Sequence, residues 1–371
     1  MTDITHPSPE AGSGRTGHFK PSWKRLLLGA AAFIALAVVV DQAVDRVLVM
    51  GEPKDFRVFF ESRRAFDADP SRYDGLIIGD SFTADALDPA VIARYAKINL
   101  FNHAIYNSSM GDQYFILQDK LTGGWTPDLV VIGLTPLLFI RDDEPTRFGL
   151  DFVSAPLLRA EAMWRGLVAG DLSIPFATGR HRYLLPGVAR VLAGGQPAAG
   201  RGLDIGRVEA GYIENLRRFK GDREAVVADG AEMRAQLATF DGPRPEQVAY
   251  LHRTIAAATG AGARVVLVMP PVSLPQAQAL DGSRYMAAFR SMARDVARQY
   301  DLPLVEGMAQ DIQSRFPADL FFDAEHMCAD GSRLFSAIVG EQLVRDDVVA
   351  PAAASGGDEA DLHQARCRPA P

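Results

Sequence analysis

Two short constellations hold the residue types that activated-nucleophile chemistry needs. The first is Gly79-Asp80-Ser81-Phe82, which closes an apolar run and sets a hydroxyl directly after a glycine and a carboxylate. Gly79 lets the backbone turn sharply, which would project Ser81 into a crevice with its own N–H available to a developing oxyanion. A serine in that place can equally cap a helix and do no chemistry. The second is Asp323-Ala324-Glu325-His326, far downstream. On a tight turn or a single helical turn, a spacing of three puts carboxylate and imidazole on one side, so the acid holds one ring nitrogen while the other faces a serine. Serine is a weak nucleophile at its own pKa and needs such an imidazole to take its proton. Either motif alone is common, and Asp-x-x-His is usually structural.

Whether the two can meet depends on the elements that carry them. From Asp74 onward short apolar runs alternate with helical stretches, the signature of a parallel sheet covered by helices on both faces. The expected strands are Gly75 to Gly79, Ile98 to Ile105, Asp128 to Leu134, Arg264 to Met269 and Leu302 to Val305. The first, third and fourth are continuous apolar runs, as strands buried on both faces require. Expected helices run over Ala90 to Tyr95, capped by Asp88 with Pro89 at the first position, and over Gly111 to Leu121. Two more span Pro245 to Thr259 and Ser283 to Tyr300, the latter with Tyr285, Phe289, Met292 and Val296 at helical spacing. The stretch from about residue 137 to 242 breaks this rhythm with Pro156, Pro175 and Pro186 and a Gly-rich loop, and reads as an insertion after the third strand. Entering there, it would lie above the carboxyl ends of the strands, where open α/β sheets bind ligands. No internal repeat is visible.

Gly79-Asp80-Ser81 closes the first strand and Asp323-x-x-His326 precedes the final helix. In that order and at those ends, the pair resembles the first and fifth blocks of the SGNH (GDSL-like) hydrolase superfamily. The resemblance covers about residues 74 to 134 and 245 to 343. It implies a three-layer α/β/α, flavodoxin-like fold and a metal-free Ser-His-Asp acyl transfer, with no cofactor. Ser81 would be the nucleophile, His326 the general base and Asp323 the orienting acid. Oxyanion donors would be the nucleophile's N–H, a glycine N–H of the second block and an asparagine side chain of the third. Here the second block, Asn102 to Gly111, has no glycine at the expected place, so Asn107, which tolerates positive φ, or Gly111 would supply the N–H. The third block is Gly133-Leu134-Thr135-Pro136, with Thr135 where the family has asparagine. A shorter hydroxyl replaces the amide there, which bears on efficiency, since one lost donor typically costs about a hundred- to a thousandfold.

The chain's ends suggest location. Residues 1–23 form a polar leader, and Lys24-Arg25 opens an uncharged apolar run from Leu26 to Val40 that stops at Asp41. That run is short for a span of about 20 residues, but a start near Trp23 and continuation past Asp41 would supply the length. An uncleaved signal anchor over 24–48, a cleaved signal peptide and a buried core helix are the competing readings. Cations before the run and Asp41 and Asp45 after it would hold the N-terminus in the cytoplasm and export the domain, about 51–348, before a disordered tail over 349–371. With such an anchor the sequence is similar to the branch containing alginate O-acetylation and DltD-like proteins. That similarity implies an inner-membrane protein whose extracytoplasmic, periplasmic domain acts on an acylated polysaccharide, working with a membrane-bound acyl-transfer partner. A catalytically inactive glycan-binding assembly protein and a lipid-directed esterase are the alternatives.

Other chemistries find little support. The net charge is -7 and there is no basic stripe with interleaved aromatics, which argues against nucleic acid. Asp142, Asp143 and Glu144 read as a solvated loop, and His103 as a satisfied core or crevice histidine. No glycine pattern fits a dinucleotide fingerprint. The two cysteines, Cys328 and Cys367, exclude a disulfide scaffold; they are two unrelated thiols or one bridge that pins the tail beside the His326 turn.

Overall fold

The computed structural model of the chain describes residues 54–141, 152–168, 185–195, 205–216 and 223–352, with scattered positions between 23 and 47. The chain forms seven strands there: β1 (Gly75–Ile78), β2 (Leu100–Asn102), β3 (Leu129–Gly133), β4 (Ile205–Glu209), β5 (Tyr212–Asn215), β6 (Arg264–Met269) and β7 (Leu304–Glu306). Helix α1 (Lys54–Ala68) precedes the first strand, and α2 (Ser81–Ala86), α3 (Pro89–Tyr95) and α4 (Met110–Thr122) follow it. The insertion holds α5 (Pro156–Val168), α6 (Leu185–Leu192) and α7 (Arg223–Leu237). After it come α8 (Pro245–Gly260), α9 (Leu274–Leu280), α10 (Arg284–Tyr300), α11 (Gln310–Gln313) and α12 (Ala329–Arg345).

Five strands make one parallel sheet in the order β2-β1-β3-β6-β7, the doubly wound order in which the crevice opens beside the first strand's carboxyl end. Register is continuous through the centre, with Ile77 beside Val131 and Val131 beside Val266. Alternate residues face opposite layers, and both layers are apolar. Leu76, Ile78, Val130, Ile132 and Leu267 pack under Phe115, Leu251 and Phe289, whereas Ile77, Val131, Val266 and Val268 pack under Ile92, Phe335 and Val339. Each such side chain contributes about 1.5–3 kcal/mol when fully buried, so the sheet is the rigid base on which the loops at its carboxyl edge rest. The expected α3 cap is present: Asp88 accepts from Ala90 N–H at 3.0 Å, and Pro89 opens the helix.

Among the elements not read from sequence, two bear on the site. One is α1. The other is the antiparallel hairpin β4–β5 inside the insertion, whose turn meets the edge strand β2: Asn102 N–H donates to the Ala210 carbonyl at 2.8 Å. The described hairpin thus lies at the sheet's β2 edge, at that strand's carboxyl end, as well as against α2. Salt bridges hold it there, Arg207 to Asp88 on the near side of α3 and Arg333 of α12 to Glu214. The membrane span expected over 24–48 falls largely outside the described residues. Among the described residues no helix is long and apolar enough to cross a membrane. The charged loop Asp142 to Glu144 lies outside them too.

Candidate active site

Ser81 is the first residue of α2, and the helix cap is its neighbour. Asp80 accepts from Phe82 N–H at 3.1 Å, so the capping role open to Ser81 in the sequence belongs to Asp80. At the first helical position the Ser81 N–H has no intrahelical acceptor. Space for this turn comes from two glycines. A Cβ on Gly79 would sit 2.4 Å from Thr83 Oγ1, and one on Gly133 would sit 1.9 Å from the same atom. Thr83, fully buried, therefore seats α2 directly on the ends of β1 and β3.

The downstream motif folds as a tight loop rather than a helical turn. Phe321 and Met327 form a bridge, and Phe322 N–H donates to the His326 carbonyl at 2.7 Å. Inside the loop Asp323 accepts from the backbone N–H of Glu325 and of His326 at 2.9 and 2.8 Å. Its two carboxylate oxygens lie 2.9 and 2.8 Å from His326 Nδ1. His326 Nε2 lies 2.9 Å from Ser81 Oγ, across 245 residues of sequence. Since Nδ1 faces a carboxylate, it carries the proton, and Nε2 is the acceptor for the serine hydroxyl. The Phe82 ring meets the imidazole edge-on at 5.3 Å and limits its rotation. Burial alone would raise the Asp323 pKa, but the His326 charge and the hydrogen bonds from the ring and the two amides outweigh it and hold the carboxyl below the usual carboxylate range.

The three further sequence-expected residues are placed differently from one another. Asn107 adopts φ 59°, the left-handed conformation its type tolerates, and is exposed on the loop between β2 and α4. Ser108 Oγ and Ile105 N–H both bond the Gly79 carbonyl, at 3.3 and 2.9 Å, which hangs this loop beside Ser81. Gly111 is a correction: its N–H is spent on Gln247 Oε1 at 3.2 Å, inside the first turn of α4. Thr135 is another, because its buried hydroxyl donates to the Asp80 carboxylate instead of standing free toward the crevice. Burial raises the Asp80 pKa, and this hydrogen bond with the nearby Arg141 charge works against the rise. Thr135→Val should therefore cost about 1–3 kcal/mol of stability, the penalty of an abandoned buried acceptor. Its effect on kcat should stay well under the hundredfold that loss of an oxyanion donor brings. Denaturant titration and steady-state kinetics of one variant check both.

No protein-family model matches the sequence, and a search of curated proteins finds no match. The chain is similar to solved hydrolase structures. One is a lipase/acylhydrolase from Enterococcus faecalis, with TM-score 0.34 and 14% identity over 76% of this chain and 99% of that one. Another is a catalytic mutant of an acetylxylan esterase from Geobacillus stearothermophilus, with TM-score 0.36 and 13% identity over 74% and 93%. A third is a protein of the G-D-S-L family from Desulfitobacterium hafniense, with TM-score 0.33 and 11% identity over 73% and 99%. Superpositions this loose leave the chemistry to be argued from the site itself.

Several supporting residues were not singled out by sequence. Gln113 of α4, fully buried, accepts from Gly79 N–H at 3.0 Å and donates to Ser108 Oγ at 2.8 Å, tying the two sides of the crevice. Asn102 donates to the Ala84 and Leu87 carbonyls and so holds the end of α2. A polar residue inside an otherwise apolar helix stripe, such as Gln113 beside Ile116 and Leu117, was the available signal. His103 departs from its expected role: it is buried among Phe66, Phe101 and Phe152 with neither ring nitrogen hydrogen-bonded. Desolvation, with Lys120 and Arg63 nearby, lowers its pKa well below the usual value, so it packs as a neutral ring. Cys328, two residues past His326, occupies the N-cap position of α12 and is disulfide-bonded; the other cysteine, Cys367, lies outside the described residues.

Proposed function

We propose that this chain is a serine acyl esterase or acyltransferase of the SGNH kind. The observation that carries the proposal is the continuous contact Ser81 Oγ to His326 Nε2 to Asp323, with both hydrogen-bond distances below 3 Å. A serine remote from the imidazole would have favoured the non-catalytic binding reading instead. In the first half-reaction Ser81 Oγ attacks the acyl carbonyl carbon while His326 Nε2 takes the hydroxyl proton. The tetrahedral oxyanion is received by the N–H of Ser81 and of Asn107. Collapse breaks the ester bond, and the departing alkoxide takes the proton from His326. Water or a second hydroxyl then attacks the acyl-Ser81 carbonyl, with His326 again the base, and Ser81 is released. Asp323 stays ionised throughout, orienting the ring and stabilising the imidazolium.

The acyl group is proposed to be O-linked acetyl on a polysaccharide outside the cytoplasm, with the apolar run after Lys24-Arg25 as membrane anchor. What supports this is the charge asymmetry about that run and the sequence resemblance to anchored O-acetylation proteins. Acid-quenched protein incubated with p-nitrophenyl acetate should carry a 42 Da adduct, the mass of an acetyl group replacing hydrogen, on the peptide containing Ser81. An adduct elsewhere, or none alongside absent hydrolysis, would refute the mechanism. Adding an oligosaccharide acceptor separates the two half-reactions: acetylated sugar indicates transfer, and free acetate alone indicates hydrolysis.

A further inference from the structure

Helix α1 packs into the core through Phe66, which shares a cluster with Leu76, Phe101 and Phe115, and its preceding turns grip the loop that carries Asn107. Phe59 and Arg63 are four residues apart and share one face of α1. The Phe59 ring stacks on Tyr106 with centroids 4.5 Å apart and planes 16° from parallel, and the Arg63 guanidinium lies 4.1 Å from the Phe59 centroid. Arg63 Nε and Nη2 both donate to the Ala104 carbonyl, at 3.1 and 2.8 Å. Its Nη1 donates to Ser62 Oγ at 3.0 Å and to the Gly211 carbonyl in the β4–β5 turn.

This is an unusual setting for a cation. Arg63 is 1% exposed, and among the described residues no carboxylate forms an ion pair with it. Desolvation pulls its pKa down to about 10, against the opposing influence of Tyr106 and Asp85. A buried charge without a partner anion is costly unless its donors are satisfied, and here backbone carbonyls of two other segments satisfy them. The hairpin side of the clamp is equally constrained. Gly211 has φ 77°, and a Cβ on it would lie 2.1 Å from the Asn102 carbonyl oxygen. The far end of the loop is tied to the nucleophile's helix, where Tyr106 donates to Asp85, one turn beyond Ser81, at 2.6 Å.

We infer that Arg63 is a positioning residue for the oxyanion site: by clamping the Ala104 carbonyl between α1 and the Ala210–Gly211 turn, it sets where the Asn107 N–H points. The inference rests on the acyl-transfer reading of Ser81. It makes the insertion and the helix before the first strand working parts of the site.

The test uses the full chain with Arg63→Met and Arg63→Lys. Endpoint labelling by a fluorophosphonate counts functional Ser81 sites, and kcat and KM per labelled site are then measured on an oxygen ester and on the matching thionoester. Sulfur accepts hydrogen bonds weakly, so the preference for the oxygen ester reports the oxyanion donors. Arg63→Met is expected to lose about ten- to a hundredfold in kcat per site, with KM little changed and the oxygen-over-sulfur preference reduced. Arg63→Lys, able to reach one carbonyl, should recover part of both. Phe59→Leu, which removes the Tyr106 stack but keeps apolar bulk, should shift the same ratio in the same direction and serves if Arg63→Met does not fold. An active wild type whose variants keep kcat per site and the ratio overturns this inference alone; so does a loss confined to the labelled fraction. A wild type inert to both esters and to the fluorophosphonate overturns the acyl-transfer reading, and this inference with it.

Discussion

Ser81→Ala and His326→Ala should each lower kcat on an acyl ester by roughly a thousandfold or more, and the double variant should be little worse than either single one. The reason is the serial geometry. Ser81 Oγ becomes a nucleophile only when His326 Nε2, 2.9 Å away, takes its proton, and that nitrogen is free to do so only because Nδ1 faces Asp323. Removing either member removes the same step, so the losses overlap instead of multiplying. Asp323→Asn should hurt somewhat less. It keeps the loop's shape but offers the ring an amide that can reverse its tautomer, and it removes the charge that stabilises the imidazolium. Folding should survive Ser81→Ala, since Ser81 is only half-buried and a single hydroxyl is lost. Kinetics on purified variants with matched circular dichroism spectra check the pattern. Additive losses in the double variant would mean that the three residues do not act as one unit.

Gly133→Ala should be nearly as damaging by a different route. Gly133 ends β3, and a methyl group there would meet Thr83 Oγ1 at 1.9 Å, Cγ2 at 2.5 Å and Cβ at 2.7 Å. Backbone torsion is not the obstacle; space is. Overpacking of this kind typically costs about 1–3 kcal/mol and occasionally more. The helix displaced to relieve it is α2, which carries Ser81. A shift of about 1 Å in a catalytic group can cost about a hundredfold in rate, so both Tm and kcat should fall. Thr83→Ala in the same chain removes the two nearest atoms and should restore part of each. A Gly133→Ala protein with unchanged Tm and kcat would show that α2 does not rest on β3 as described.

The core of this architecture was readable because its signals are local and unmixed. β1, β3 and β6 are uninterrupted apolar runs, and the ends of α8 and α10 fall within a residue or two of the positions their periodicity indicates. Ser81, Asp323 and His326 stood out because each motif closes or precedes a regular element. What stayed hidden depends on neighbours distant in sequence. In α1 the stripe Phe59, Arg63, Phe66 has a cation in its middle, which blurs the apolar pattern until the Ala104 and Gly211 carbonyls are seen to receive it. The strands β4 and β5 are four or five residues long, inside a segment whose prolines and glycines suggest irregular chain. The fates of Gly111 and Thr135 were likewise decided elsewhere. Gln247 lies 136 residues beyond Gly111, and Asp80 lies 55 residues before Thr135. No spacing rule links such pairs.

If Ser81 is an activated nucleophile, a fluorophosphonate will label it. The reagent reacts stoichiometrically with a serine whose hydroxyl is deprotonated by a neighbouring base and whose site stabilises the oxyanion-like adduct. Purified wild-type protein should label at close to one site per chain, with the adduct mapped to the peptide containing Ser81, and folded Ser81→Ala protein should not label. Labelling that persists in Ser81→Ala, or a folded wild type that neither labels nor cleaves an acetyl ester, would show that Ser81 is not an activated nucleophile.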